Sequence, residues 1–236
     1  GATLVSGVSI TARGTCWGTS ASPTTNCLPE GGTATGVYTH ARTGLPQGTL
    51  IYYRGYATNG AGTTYSADGS TTTLTVPTLI TPVSSLTGIA TTTLGATITS
   101  NGGSPLTARG TCFSTTSGNA TLALGTCTAE GGTAVSSFTH IRSGLTASTT
   151  YYYRGYATNV YGTAYSSESS FTTQAIPGVT TPTVTSVTNN TAVLGATLSS
   201  TGGTTITARG TCFNTSAFPT ANCLPEGSTS TSAYTH

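Results

Sequence analysis

The chain contains an internal repeat on the scale of a whole domain. A heptapeptide with the sequence (Ile/Leu)-Thr-Ala-Arg-Gly-Thr-Cys occurs three times, at residues 10–16, 106–112 and 206–212. The tripeptide Gly-Ala-Thr begins at residues 1, 95 and 195, so the spacing is 94 residues and then 100 residues. Solenoid repeats recur at about 20–50 residues, whereas about 100 residues is a common size for one domain. The sequence therefore predicts a tandem array of domains.

The predicted units differ in how much of the repeat they contain. The first lacks the segment that precedes Gly95 and Gly195, and with it the opening strand, while the third ends at His236, which is equivalent to His140. Domain boundaries normally fall in linkers, so these positions predict a window onto a longer repetitive polypeptide. Donor-strand exchange between incomplete ends is the alternative, but the strands retained in the third unit complement the first poorly. The three predicted units span residues 1–76, 77–176 and 177–236.

The composition favours a folded all-β protein. Charged residues make up 5% of the chain, against about 25% in ordinary globular domains, and threonine makes up a quarter of it. Disordered chains are also poor in aromatic and β-branched residues, whereas this chain has 12 tyrosines among its many threonines and valines. The net charge of +2 provides no basic stripe for nucleic acid, and no apolar stretch reaches the ~18 residues that span a membrane.

Short runs rich in Thr, Tyr and Val alternate with clusters of Gly, Pro, Asn and Ser throughout the repeat. Their spacing of about 8–12 residues is typical of β-sandwiches and barrels. No stretch of about ten residues has a helical hydrophobic period. We therefore expect about seven strands in the complete second unit.

Residues 145–159, LTASTTYYYRGYATN, followed by Gly162 and Ser166, resemble the E–F corner and F strand of fibronectin type III domains. The chain is thus similar to bacterial-type tandem fibronectin type III-like (immunoglobulin-like) repeats. This resemblance implies tandem seven-stranded Greek-key β-sandwich modules. It also implies that the hydroxyl of Tyr151 bonds to the upstream backbone as a tyrosine corner, for which the first unit has Ile51 instead.

Alternation along the strands predicts which side chains share a face. On the F strand, Tyr151, Tyr153, Gly155 and Ala157 are expected to point inward, and Tyr152, Arg154 and Tyr156 outward. On the C strand, Leu106, Ala108 and Gly110 are expected inward and Arg109 outward, while Glu168 is expected outward on the G strand. The candidate interface face comprises Arg13, Tyr52, Arg54, Tyr56, Arg109, Tyr152, Arg154, Tyr156, Glu168 and Arg209.

This Arg/Tyr face has three possible uses. Aromatic rings and arginine forks suit polysaccharides or other glycans. The same side chains also form ordinary cross-strand pairs, which is the more common situation. Because the face is repeated in each unit, it is also a candidate surface for packing against a neighbouring copy.

Each unit contains one pair of cysteines. Pairs without Cys-x-x-Cys spacing favour local disulfides over a metal site or a redox centre. Disulfides persist in oxidising compartments, which predicts a secreted protein located outside the cell or at the cell surface. Each closed loop is worth about 3 kcal/mol in the chain-entropy model. The predicted disulfides are Cys16–Cys27, Cys112–Cys127 and Cys212–Cys223.

The sparse charged and histidine side chains recur at equivalent positions of the repeat. Periodic charges favour a repeated contact over an enzyme, because a catalytic site usually occurs once in a chain. We expect no catalytic residues, no metal ligands and no cofactor. The equivalent sets are Arg13/Arg109/Arg209, Glu30/Glu130/Glu226, His40/His140/His236, Arg42/Arg142, Arg54/Arg154 and Asp68/Glu168.

His140 and Arg142 fall on positions that should face the core, together with Phe138. A buried arginine needs a partner, since an unpaired buried charge is costly. We therefore predict an ion pair between Glu130 and Arg142. The equivalent pair in the first unit is Glu30–Arg42.

The preferred function is a structural repeat of an extracellular fibre, filament or sheath that assembles with copies of itself. The linkers around 74–82 and 172–182 each carry two prolines, which stiffen them. The alternative is a cell-surface adhesin or stalk module that serves cell adhesion, binds carbohydrate or displays another domain. A regular polymer in electron micrographs would favour the fibre.

Overall fold

The computed structural model describes residues 9–86, 88–227, 230 and 232–235, and it shows strands joined by turns. The expectations that concern Gly1 and His236 lie outside these residues. Within the described part, no helix is long and apolar enough to cross a membrane. Each strand pairing joins two strands of the same predicted unit.

The second unit is a two-layered sandwich. One sheet has the order β12-β11-β8-β9, with β13 also paired to β11, and the other has the order β10-β7-β6. Both β12 and β13 run along the same edge of β11 as one interrupted strand, so the predicted seven-stranded all-β fold is confirmed. The strands are β6 (Thr78–Leu86), β7 (Thr92–Ser100), β8 (Ala108–Ser114), β9 (Thr126–Ala129), β10 (Ser137–Arg142), β11 (Thr150–Asn159), β12 (Gly162–Tyr165) and β13 (Ser169–Thr172).

The first unit forms a sheet that matches the larger sheet of the second unit. Its order is β2-β1-β3-β4, with β5 also paired to β3, and Arg13 lies opposite Ala57 as Arg109 lies opposite Ala157. The strands of the first unit are β1 (Ala12–Gly18), β2 (Leu28–Pro29), β3 (Leu50–Asn59), β4 (Gly62–Tyr65) and β5 (Gly69–Thr72).

The third unit forms the counterpart of the smaller sheet, β14-β15-β18, together with a two-stranded sheet, β16-β17. Ala196 lies opposite Tyr234 in this sheet, as Ala96 lies opposite Phe138 in the second unit. The strands are β14 (Gly178–Thr185), β15 (Val193–Ser200), β16 (Gly210–Cys212), β17 (Cys223–Pro225) and β18 (Ala233–Thr235).

The core of the second unit lies between its two sheets. It is built from small and branched side chains around the ring of Phe138, which fit a closely packed sandwich interior. The inward orientation predicted for the F strand is confirmed: Tyr153 is 2% exposed, while the equivalent Tyr53 of the first unit is 47% exposed. The cluster comprises Ala96, Ile98, Leu106, Phe138 and Ala157, with Leu79 packed against it.

The orientation predicted for the C strand is wrong. Arg109 lies directly opposite Ala157 and Thr111 opposite Gly155, so both side chains point inward. Leu106 is buried as expected, but the regular strand begins only at Ala108. Because Thr107 lies in a bend, alternation counted from Leu106 gives the wrong phase.

Candidate structural and interface sites

The three predicted disulfides are present. Cys112 lies directly opposite Cys127 on β8 and β9, and Cys212 lies opposite Cys223 on β16 and β17. Each disulfide therefore joins two neighbouring antiparallel strands at the base of the loop that connects them. We call residues 113–126 of the second unit the disulfide loop.

The disulfide loop covers the outer face of the larger sheet. Ala120 is fully buried and packs with Cys112 and Tyr156 in a second, smaller core. The backbone N–H of Leu122 donates to the hydroxyl of Tyr165 at 3.0 Å. Tyr156 does point outward as predicted, but the loop buries it, and this burial raises the pKa of its hydroxyl. It is not available as an exposed interface residue.

Glu168 attaches the disulfide loop to strand β11. It accepts hydrogen bonds from the Ser117 hydroxyl at 2.6 Å and the Gly118 N–H at 2.9 Å, and it lies 3.4 Å from Arg154 Nε. The bond from the Ser117 hydroxyl, followed by that from the Gly118 N–H, holds the pKa of Glu168 below its ordinary value.

Asp68 has the same role in the first unit. Its carboxylate accepts from the Ser22 N–H at 2.7 Å and from Arg54 Nε at 3.0 Å. These bonds, the one from the Ser22 backbone above all, lower the pKa of Asp68. Arg154 and Glu168 therefore hold the disulfide loop of the second unit, and Arg54 and Asp68 hold the equivalent loop of the first unit.

The predicted ion pair between Glu130 and Arg142 is wrong, because Glu130 pairs with Arg109 at 2.7 Å. The Glu130 N–H donates to the Arg109 carbonyl, so these residues are neighbours across the ladder. The hydrogen bond from Arg109 lowers the pKa of Glu130. The Glu30–Arg42 prediction fails in the same way, and the equivalent pairs are Arg13–Glu30 at 2.6 Å and Arg209–Glu226 at 2.5 Å.

Arg109 makes several inward contacts besides its ion pair. Its Nη1 donates to the Ala134 carbonyl at 2.7 Å and to the Ser136 hydroxyl at 3.0 Å. Its guanidinium carbon lies 5.1 Å from the centre of the Phe138 ring. Arg109 thus links strand β8 to the segment that leads into strand β10 of the opposite sheet.

Arg142 is buried as predicted, with 4% of its surface exposed, but without a carboxylate partner among the described residues. Its Nη2 donates to the Thr126 carbonyl at 2.9 Å, and its guanidinium carbon lies 4.8 Å from the centre of the Phe113 ring. Cation–π contacts of this kind gain strength when they are desolvated. Burial lowers the pKa of Arg142.

His140 lies between these two arginines on the inner side of β10. Its Nε2 is hydrogen-bonded to the Thr111 hydroxyl. Burial is the main cause that lowers the pKa of His140, and the neighbouring charge of Arg142 adds to it. The folded unit therefore favours the neutral imidazole.

The Arg/Tyr face predicted as an interface is not one open surface. Arg109 and its equivalents Arg13 and Arg209 belong to the inner ion pairs, and Tyr156 lies under the disulfide loop. The remaining members lie half-buried on the outer side of the larger sheets. They are Tyr52, Arg54, Tyr56, Tyr152, Arg154 and Glu168.

A different surface of the second unit is open and uncharged. The outward positions of β6, β7 and β10 carry Ile80 beside Thr97, Val83 beside Gly95, and Ile141 beside Thr93. Ile80, Val83 and Ile141 are exposed. We call the outward side of these three strands the neutral face. The near absence of charged residues from the sequences of these strands was the signal for it.

No family model matches the chain, and no curated protein matches it. Among solved structures, it is similar to the crystal structure of chicken CNTN1 FN1-FN3 domains, with a TM-score of 0.33 and 13% sequence identity over 69% of this chain. The match covers 53% of the length of that chain.

The hydrogen bonding of the second unit itself includes the predicted tyrosine corner. The N–H of Thr146 donates to the hydroxyl of Tyr151 at 2.9 Å. Together with its strand order, this makes the second unit a fibronectin type III-like β-sandwich.

Proposed function

We propose that this chain is a structural repeat of an extracellular fibre, filament or sheath, in which copies pack side by side through the neutral face. One observation carries the proposal. All five carboxylates of the chain form ion pairs with arginines of their own unit. These ion pairs therefore stabilise the fold of their own module.

Self-association is supported by the uncharged side chains on the exposed surface. Soluble monomers avoid contact through net charge and through charged residues on exposed sheet surfaces. Here the neutral face presents Ile80, Val83 and Ile141 among threonines and serines. Exposed apolar patches of this type mark interaction surfaces. In the third unit, Thr180 and Thr183 lie opposite Thr197 and Gly195, as Ile80 and Val83 lie opposite Thr97 and Gly95, so the equivalent side of this sheet also carries no charge.

An extracellular location is part of the proposal. Disulfides form and persist in oxidising compartments, and each unit has one. They fasten loops whose lengths differ between units, which favours a mechanical role over a redox role. The proposal includes no enzymatic activity.

The test is electron microscopy and sedimentation of the oxidised chain over a range of concentrations. We expect regular polymers with an axial repeat of one or a few modules. The variant Ile141→Lys places a charge on the neutral face at a position that is 71% exposed, so it should block assembly without unfolding the unit. The matched control is Val160→Lys, which adds the same charge at a position 73% exposed in a turn away from that face.

Salt provides a second readout of the same contact. A contact between uncharged surfaces should persist from ~0.05 M to ~0.5 M salt, because screening acts on charges. Dispersed monomers at every concentration would overturn the fibre and leave the stalk or adhesin role. Equal loss of assembly in both lysine variants would show that packing does not use the neutral face.

A further inference from the structure

The linker between the first two units is fastened to the first unit at Thr73. The N–H of Thr73 donates to the Thr49 carbonyl at 3.0 Å, and the Thr49 N–H donates to the Thr73 hydroxyl at 3.0 Å. The same hydroxyl donates to the Pro46 carbonyl. The linker therefore leaves the first unit in a fixed direction.

Two residues later, both backbone polar groups of Thr75 are bound by the second unit. The Thr75 N–H donates to the Gly102 carbonyl at 3.0 Å, and the Thr75 carbonyl accepts from Asn159 Nδ2 at 2.8 Å. The methyl group of Thr75 also faces the first unit, where a Cβ added at Gly48 would lie 3.2 Å from it. Thr75 thus contacts both units.

Asn159 uses every hydrogen-bonding group of its side chain at this joint. Its Nδ2 also donates to the Asn101 carbonyl at 2.8 Å, and its Oδ1 accepts from the Tyr161 N–H at 2.9 Å. The residue is 3% exposed. A buried and fully satisfied amide holds its partners in one arrangement, because any other arrangement would leave buried polar groups without hydrogen bonds.

Gly102 allows the turn after β7 to approach the linker. Its φ is +70°, which favours glycine, and a Cβ there would lie 2.1 Å from the Thr75 carbonyl oxygen. The second joint has the equivalent of the hydrogen bond between Thr75 and Gly102, because the Ala175 N–H donates to the Gly202 carbonyl at 2.8 Å. The sequence of the third unit does not include the position equivalent to Asn159.

The two joints differ in how far the linker is buried. Pro77, after the first joint, is fully buried and Val76 is half-buried. Pro177 and Ile176, at the second joint, are exposed. The deeper linker is the one that Asn159 contacts.

We infer that Asn159 is a positioning residue that locks the preceding linker onto its own module, so that successive modules keep one fixed orientation. The octapeptide YYRGYATN at residues 152–159 recurs at residues 52–59, so Asn59 has the position at which it would contact the linker of a preceding module. The inference does not rest on assembly into a fibre, because a stalk would need the same rigid joint. Its failure would therefore leave the test by electron microscopy unaffected.

Nuclear magnetic resonance of the whole chain can test this joint. We expect residual dipolar couplings from the first and second units to fit a single alignment tensor, and the Thr75 amide to be protected from hydrogen exchange. In Asn159→Ala, protection at Thr75 should fall by about tenfold or more, which corresponds to the loss of one hydrogen bond at a buried position. The two units should then need separate tensors.

Two further variants make the outcome decisive. Asn59→Ala is the matched control, because Asn59 has the equivalent position in the first unit and should leave the tensor and the Thr75 protection unchanged. Thr75→Pro removes the linker donor without touching a strand of either unit, and should separate the tensors even if Asn159→Ala destabilises β11. Two tensors in the unmodified chain, or one tensor in both joint variants, would overturn the inference.

Discussion

A single methyl group added at Gly155 should separate the two sheets of the second unit. A Cβ at this position would lie 2.2 Å from the Cβ of Ala96 on the opposite sheet and 3.6 Å from its Cα. Two carbon atoms pack at about 3.5–4.0 Å, so the backbones must move apart by more than about 1 Å. Overpacking costs about 1–3 kcal/mol when side chains can adjust. Neither Cβ can rotate away, so we expect about 3 kcal/mol for Gly155→Ala.

The compensating variant makes this expectation specific. Ala96→Gly removes the opposing methyl group and should by itself cost about 1 kcal/mol, through lost packing and a more flexible strand. In the double variant Gly155→Ala/Ala96→Gly, the methyl group crosses from one sheet to the other. The double variant should therefore lose only about 2 kcal/mol instead of the sum of about 4 kcal/mol, which is a coupling energy of about 2 kcal/mol.

Native-state hydrogen exchange in the whole chain reports on each unit separately, through the β11 amides of the second unit and the β3 amides of the first, and urea unfolding supplies the free energies. Gly55→Ala is the control, because the nearest atom to its Cβ would be the hydroxyl of Tyr38 at 2.8 Å, the movable end of a side chain. It should cost much less than Gly155→Ala. If Gly155→Ala costs less than about 0.5 kcal/mol, or Ala96→Gly fails to rescue it, the sheets do not meet at this point.

Four other measurements test the internal charges and the disulfide loop. Glu130→Gln should lower the stability of the second unit by about 1 kcal/mol in urea, and an unchanged midpoint would contradict its role. Stability should fall with acid in two stages. The lowered pKa of His140 favours its neutral form, so a first loss begins below its ordinary value of 6.5 and is absent in His140→Gln. The lowered pKa of Glu130 gives stability that is complete above 4.5 and disappears as the pH falls through the folded value. Urea midpoints measured from neutral to acid pH would separate these stages, and a flat profile would refute both. Glu168→Gln should increase hydrogen exchange in the disulfide loop. Reduction of Cys112–Cys127 should lower the free energy of unfolding by about 3 kcal/mol. Unchanged exchange in the variant, or unchanged stability after reduction, would contradict a loop held at these two points.

Local and periodic features of this chain could be predicted from the sequence. The F strand was correctly oriented because alternation from Tyr151 continues without interruption to Ala157. The disulfides followed from one pair of cysteines per unit. The C strand could not be oriented in the same way, because the bend at Thr107 changes the phase between Leu106 and Ala108. Residue spacing carries no signal for such a bend.

The wrong ion pair has a related cause. The sequence indicates that Arg142 is buried and needs a partner, and Glu130 is the nearest upstream carboxylate, but nearness along the chain does not identify cross-strand neighbours. The partner of Glu130 is set by the antiparallel ladder between β8 and β9, which places it beside Arg109. Contacts between Ser117 and Glu168, 51 residues apart, were likewise beyond prediction, since a loop of variable length has no period.

The few charged side chains of each unit stabilise its fold through ion pairs. Each arginine of the inner pairs also lies over an aromatic ring, as Arg109 lies over Phe138 and Arg209 over Tyr234. The ring and the carboxylate together compensate for the water that the guanidinium loses. Because these pairs hold strands and loops within each module, they leave the outer surface nearly uncharged. In the fibre that we propose, identical modules would meet without like-charge repulsion, and the shape and apolar character of the neutral face would determine their contact.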